Sequence, residues 1–221
     1  MDIKILKDTL GPKVYNFNNY KKIINFIRNK KYKFARFDRE NSFKKIYLRH
    51  DIDLSPKYLI NFLKFYDENN ISANIFFMVN SKTYNLLEKK NIDFINKISK
   101  RHCLGLHIDL AEIKKKEIKN HINFFKRYLK ISNVISFHRP KKIDLINAIN
   151  NKKYLNAYDK KFFDKNNYVS DSGQKKNFCE KLFKIVSNKN NPIQFLVHPI
   201  WWQNKIYKKD IEKILVDDQI K

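Results

Sequence analysis

Apolar positions along the chain fall into short runs that alternate with helical stripes. Tyr20, Ile23, Ile24 and Ile27 recur at helical spacing and predict a helix over residues 18–28. A short strand is predicted over 34–37 and a longer one over 46–51. Ser55-Pro56 then reads as an N-cap followed by proline at the first helical position. The helix it opens runs to about Asn69, with Leu59, Phe62, Leu63 and Tyr66 on its core face. Further strands are predicted over 73–79, 103–108, 134–138, 168–170 and 195–198, and helices over 93–100, 112–129, 144–150 and 206–214. Strands alternating with helices call for parallel βαβ units. The predicted fold class is therefore α/β: a distorted or incomplete (β/α) barrel in a single domain over 1–221, with 1–33 as a helical extension packed on it.

The polar residues of interest gather where the strands end. The run Ile46-Tyr47-Leu48-Arg49-His50-Asp51-Ile52-Asp53 places Asp51 and Asp53 two apart, on one face of an extended segment. Gly105-Leu106-His107-Ile108-Asp109, His138-Arg139, Asp171 and His198 occupy the corresponding ends of other strands. Parallel strands deliver such residues to one rim, where α/β folds keep their chemistry. Two of the three glycines, Gly105 and Gly173, and three of the five prolines, Pro56, Pro140 and Pro199, lie beside these segments.

Carboxylate and imidazole groups in this arrangement suit a divalent metal such as zinc, which at a catalytic site takes about three protein ligands and keeps a position open. Asp53 and His107 are the expected ligands, with His138 as the third. Asp51 is the expected base toward a water held at the site, and Arg139 is expected to orient it through a bidentate contact. His198 is the expected acid toward a leaving amine or alcohol, with Asp171 raising its pKa. Trp201 and Trp202 read either as core or as a sugar-stacking wall and are expected to bind substrate. His50, one residue out of phase with Asp51, reads as a buried structural histidine. His102 and His121 are expected at the surface.

Composition narrows the picture. With 221 residues, 43% hydrophobic and 14% aromatic, the chain can bury a proper core. The start, Met1-Asp2-Ile3-Lys4, lacks a leader-like apolar region, and no apolar stretch approaches the length of a membrane span. Cys103 and Cys179 show no C-x-x-C spacing and read as reduced thiols. A cytoplasmic location is the resulting expectation. The formal charge of +25 would suit nucleic acid, but seven of the 47 basic residues are Arg and the lysines are scattered along the chain. Nucleic acid is accordingly not the expected partner.

Five segments carry a family resemblance: Arg49-His50-Asp51-Ile52-Asp53, Gly105-Leu106-His107, Phe137-His138-Arg139-Pro140, Ser170-Asp171-Ser172-Gly173 and Leu196-Val197-His198-Pro199. Their order resembles the motifs of the polysaccharide deacetylases, carbohydrate esterase family four, in a divergent branch with a His-Asp-x-Asp first motif. The resemblance covers roughly residues 34 to 203. It implies a distorted (β/α) barrel and metal-dependent removal of acetyl groups from sugars, a C–N hydrolase acting on linear amides, in surface polysaccharide or glycan biosynthesis. It implies Asp51 as base, Asp53 and His107 as metal ligands, Arg139 as orienter and His198 as acid. Ala111 stands where the family has a second motif-two histidine, which leaves His138, Asp109 or water for the third position. An acetylated sugar, glycolipid precursor or nucleotide-linked sugar is the expected substrate. The alternatives are an amidohydrolase of a small non-sugar amide and a catalytically weak glycan-binding homologue.

Overall fold

The structure is a computed structural model and describes residues 10, 14–39, 44–141, 153–174, 177–188 and 192–203. The helices expected over 144–150 and 206–214 lie outside the described residues. In chain order the elements are α1 (Phe17–Asn29), β1 (Lys33–Phe34), β2 (Lys45–Ile52), α2 (Ile60–Glu68), β3 (Asn74–Met78), α3 (Lys89–Ile98), β4 (Cys103–Asp109), α4 (Ile118–Phe125), β5 (Val134–His138), β6 (Leu155–Asn156), β7 (Tyr168–Ser170), α5 (Phe178–Ser187) and β8 (Ile193–Val197).

Every strand pairing among the described residues is parallel. The sheet runs β6-β5-β4-β3-β2-β8-β7, with β1 beside the start of β2. This is the expected incomplete barrel. Its two edge strands, β6 and β7, are not paired with each other among the described residues. Side chains meet at that seam instead: Phe163 meets Tyr158 edge-on at 5.3 Å and Tyr168 at a tilt at 5.0 Å.

Alternation along the strands sorts the residues into two sets. On β2, Ile46, Leu48 and Ile52 join the large outer core with the helices, while Tyr47 joins an inner cluster with Phe37, Phe76, Cys103, Val134 and Phe162. The inner cluster plugs the barrel at the end where the strands begin. Beneath it, Arg36 forks onto Asp38 at 2.8 and 2.7 Å, and Ser132 Oγ donates to the same carboxylate at 2.5 Å. Gly105 leaves room for the plug: a Cβ there would stand 2.3 Å from the Val134 carbonyl and 2.8 Å from the Phe76 ring.

The strand neighbouring β2 on one side comes in two pieces, β1 and then β3. Asn74 splices the break. Its amide nitrogen donates to the Ala35 and Leu48 carbonyls at 2.9 and 3.2 Å, and its oxygen accepts from the Phe37 N–H at 2.8 Å.

α1 is capped by Asn16, whose side chain accepts from the Asn19 N–H at 2.9 Å. It buries Tyr20, Ile23, Ile24 and Ile27 as the periodicity predicts, and Phe26 meets Phe183 of α5 at 5.1 Å. Three expectations shift. The stretch after Ser55-Pro56 opens as a 3₁₀ turn, Pro56–Leu59, before α2 begins. The long helix expected over 112–129 reduces to a turn at Lys115–Glu117 and the two-turn α4. Finally, α5 was not expected, although Phe178, Cys179, Leu182, Phe183 and Val186 line its buried face at helical spacing. No helix among the described residues is long and apolar enough to cross a membrane.

Candidate active site at the strand ends

The rim where the strands end holds Asp51, Asp53, His107, His138, His198 and Asp171, as the sequence predicts. Asp51 and His107 lie on the inner faces of β2 and β4, His138 ends β5, and Asp53 follows the end of β2. Three hydroxyls from the segment after β3 fix the turn that carries Asp53. Tyr84 donates to the Ile52 carbonyl at 2.6 Å, Ser81 to that of Asp53 at 3.0 Å and Thr83 to that of Leu54 at 2.6 Å. These supports carry no motif of their own in the sequence.

Asp53, His107 and His138 present one ligand atom each within 4.8 Å of one another. Asp53 Oδ1 lies 3.3 Å from His107 Nε2 and 3.7 Å from His138 Nδ1, and the two ring nitrogens are 3.3 Å apart. Ligand atoms about 2.0–2.1 Å from a tetrahedral ion stand about 3.3–3.4 Å from each other, so the trio has the spacing of a zinc-sized site. Two further observations fit. Asp53 Oδ1 is buried and accepts no hydrogen bond of ordinary geometry, which is costly for a carboxylate without a cation. His107 Nδ1 contacts Ser136 Oγ at 2.7 Å, turning Nε2 toward Asp53; metal-ligating histidines are held in this way. Ala111, in the position of the family's second histidine, lies exposed in a turn where its N–H donates to Asp109.

Burial alone would raise the Asp51 carboxyl, but Arg49, together with His107 and His198, holds it below the usual range. The Arg49 fork donates to the two oxygens at 2.9 and 2.7 Å. This corrects the expectation that Arg139 would grip Asp51. Arg139 instead lines the cleft beside His138, its backbone in the left-handed region at φ 43°. The physical reason is strand geometry: Arg49 is two residues before Asp51 on the same inner face. That alternation was the available signal.

His198 Nδ1 is 2.5 Å from Asp171 Oδ1, and its backbone N–H donates to Asp171 Oδ2 at 2.8 Å. Burial would depress this imidazole, yet Asp171, with Asp53 and Asp51, raises its pKa to about 9. Trp202 donates from Nε1 to the same Asp171 oxygen at 2.8 Å. It is fully buried and meets Tyr15, Tyr20 and Phe178 edge-on. Its expected place in a sugar-binding wall is thus corrected: the ring is core, and its polar edge steadies Asp171. Trp201 does reach the cleft. His50 is buried and structural as expected, with Nε2 2.6 Å from the Tyr66 hydroxyl. His102, expected at the surface, is buried, and its Nδ1 accepts the Ala73 N–H at 3.2 Å.

Two adjoining cavities open over these groups. One, of about 390 Å³, is lined by Asp51, Asp53, His107, Tyr158, Tyr168, His198 and Trp201 among others. The other, of about 190 Å³, extends past Asp53, His138 and Arg139 to Ser81, Lys82 and Glu112. Together they have the size of ordinary small-molecule sites.

No family model matches the chain, and no curated protein matches it in sequence. Solved structures do. The catalytic domain of a peptidoglycan N-acetylglucosamine deacetylase from Eubacterium rectale is 18% identical, with a TM-score of 0.51 over 84% of this chain and 88% of that one. A peptidoglycan deacetylase from Bdellovibrio bacteriovorus is 13% identical, with a TM-score of 0.51 over 90% of this chain and 67% of that one. Five motifs in order, an incomplete parallel barrel and these likenesses converge: the chain has the polysaccharide deacetylase fold.

Proposed function

We propose that the protein is a metal-dependent deacetylase that hydrolyses the N-acetyl amide of an amino sugar in a glycan or glycan precursor. One observation carries the reading. A trio with the spacing of metal ligands, Asp53, His107 and His138, stands between a carboxylate gripped by a guanidinium and a histidine gripped by a carboxylate. When bound, a divalent ion such as zinc supplies Lewis acidity and lowers the pKa of water.

The chain's own groups divide the remaining work. Asp51, kept ionised, accepts a proton from the attacking water. The water oxygen bonds to the acyl carbon, the C–N bond breaks, and the imidazolium of His198 delivers a proton to the departing nitrogen. The products are acetate and a free amine. Asp171 holds the His198 ring in place and favours its charged form before the transfer. Trp201 offers an aromatic surface to the sugar at the cleft wall.

The test is acetate release from N-acetylglucosamine oligosaccharides by protein supplied with one equivalent of zinc. Turnover that vanishes in His107→Ala together with bound zinc supports the reading. Zinc-replete wild-type protein that releases no acetate from any acetylated amino sugar overturns it.

A further inference from the structure

Among the described residues two arginines lie near the site, and their settings differ. Arg49 is fully buried within the barrel. Its Nε and one terminal nitrogen fork onto Asp51, that terminal nitrogen also donates to the Tyr158 hydroxyl at 3.2 Å, and the other terminal nitrogen donates to Gln194 Oε1 at 3.1 Å. Gln194 is itself fixed, donating to the Ala157 and Phe162 carbonyls at 2.7 and 3.3 Å. The guanidinium carbon lies 4.7 Å from the Tyr158 ring centroid and 5.5 Å from that of Phe76. Arg139 lines both cavities on the open side of the site.

We infer that Arg49 is a residue that positions the base Asp51 in this chain. The inference rests on the deacetylase reading above. A carboxylate at a strand end turns about two side-chain torsions, and a bidentate partner removes that freedom. Arg49 reaches Asp51 from beneath, two positions earlier on one strand, so the backbone itself sets their spacing. Gln194 and the two rings hold the fork in plane. The result faces one carboxylate oxygen, Oδ2, toward His107 Nε2 at 3.6 Å, beside the metal trio. Lysine cannot reproduce this contact, because an ammonium is a point charge without a planar fork.

The test compares Arg49→Lys, Arg139→Lys and wild type, each loaded with zinc, by zinc content, thermal midpoint, kcat and KM for acetate release from N-acetylglucosamine oligosaccharides. Arg49→Lys is expected to hold zinc as wild type does and to keep its KM within about twofold, while kcat falls about 10–100-fold, the cost of a misplaced reacting group. Arg139→Lys is expected to lose less kcat and to change KM more. Gln194→Met covers the case in which Arg49→Lys fails to fold, with the same kcat-dominated loss at smaller size. Wild-type kcat in Arg49→Lys overturns the inference, as does a kcat loss confined to Arg139→Lys, and either leaves the deacetylase reading standing. A zinc-loaded wild type without acetate release overturns both.

Discussion

The two faces of β2 can be set side by side, residue by residue. Outward, Leu48, His50 and Ile52 pack into the layer formed by α1 and α2. Inward, Tyr47, Arg49 and Asp51 climb from the apolar plug to the cleft. Each face buries a polar group, and the two are held in different charge states. His50 is kept neutral: burial lowers its pKa to about 3, and its partner is the Tyr66 hydroxyl, itself bonded to that of Tyr20. Asp51 is kept charged by a guanidinium. Neighbours in sequence are thus assigned to stability and to chemistry by the twofold period of a strand alone.

Substitutions on the two faces should therefore separate activity from folding. The largest effect expected is on the inner face. Asp51→Asn should lower acetate release about 10²–10⁴-fold, the usual worth of a positioned base, with zinc still bound. Activity within tenfold of wild type would remove Asp51 from the mechanism. Next comes the tryptophan pair, which repeats the contrast one strand away. Trp202→Ala should cost about 3–5 kcal/mol in denaturant unfolding, as for any large buried aromatic. Trp201 is half-buried against the same core, so Trp201→Ala should cost clearly less in unfolding than Trp202→Ala and raise KM, and equal destabilisation by both would erase the distinction.

Gly105→Ala is expected to cost about 1–3 kcal/mol or more, since the added methyl meets a backbone carbonyl that cannot yield. A wild-type midpoint would show that the plug is loose. The most graded effect is pH. His50 and His102 take up protons near 6.5 when unfolded but only near 3 and 4 in the folded protein, chiefly because both are buried. The unfolded chain binds more protons throughout that window. The contribution of these two histidines should be fully present well above pH 6.5 and be lost as pH drops below it. His102→Gln should flatten part of this slope in urea titrations across pH 4–7, and an unchanged slope would exclude His102 as a source.

Much of the site was legible because parallel strands bring residues far apart in sequence to one rim. His107 and His138 are 31 positions apart and lie in neighbouring strands, where Asp109 of β4 is the register partner of His138. The spacing of polar strand ends was enough to propose the trio. What escaped was of two kinds. Arg49 and Ser136 sit two residues before Asp51 and His138 on the same faces, so strand alternation exposes them even though they lie below the strand ends. Trp202, His102 and the hydroxyls of Ser81, Thr83 and Tyr84 depend on contacts that periodicity does not encode. Two adjacent tryptophans in a turn look alike in sequence, and packing alone decides which is core. The missed α5 had a readable stripe. The overlong helix expected over 112–129 shows the opposite error, since continuous periodicity there overstates how far the backbone stays helical.

The seam between β6 and β7 has a mechanical consequence. Around the rest of the barrel, changing the girth would mean breaking backbone ladders. At the seam the contacts among the described residues are edge-on and tilted rings and the Gln194 amide, and Tyr158, Phe163 and Tyr168 of that closure also line the larger cavity. Parting the barrel at the seam would therefore break ring contacts and side-chain hydrogen bonds but no strand pairing among the described residues.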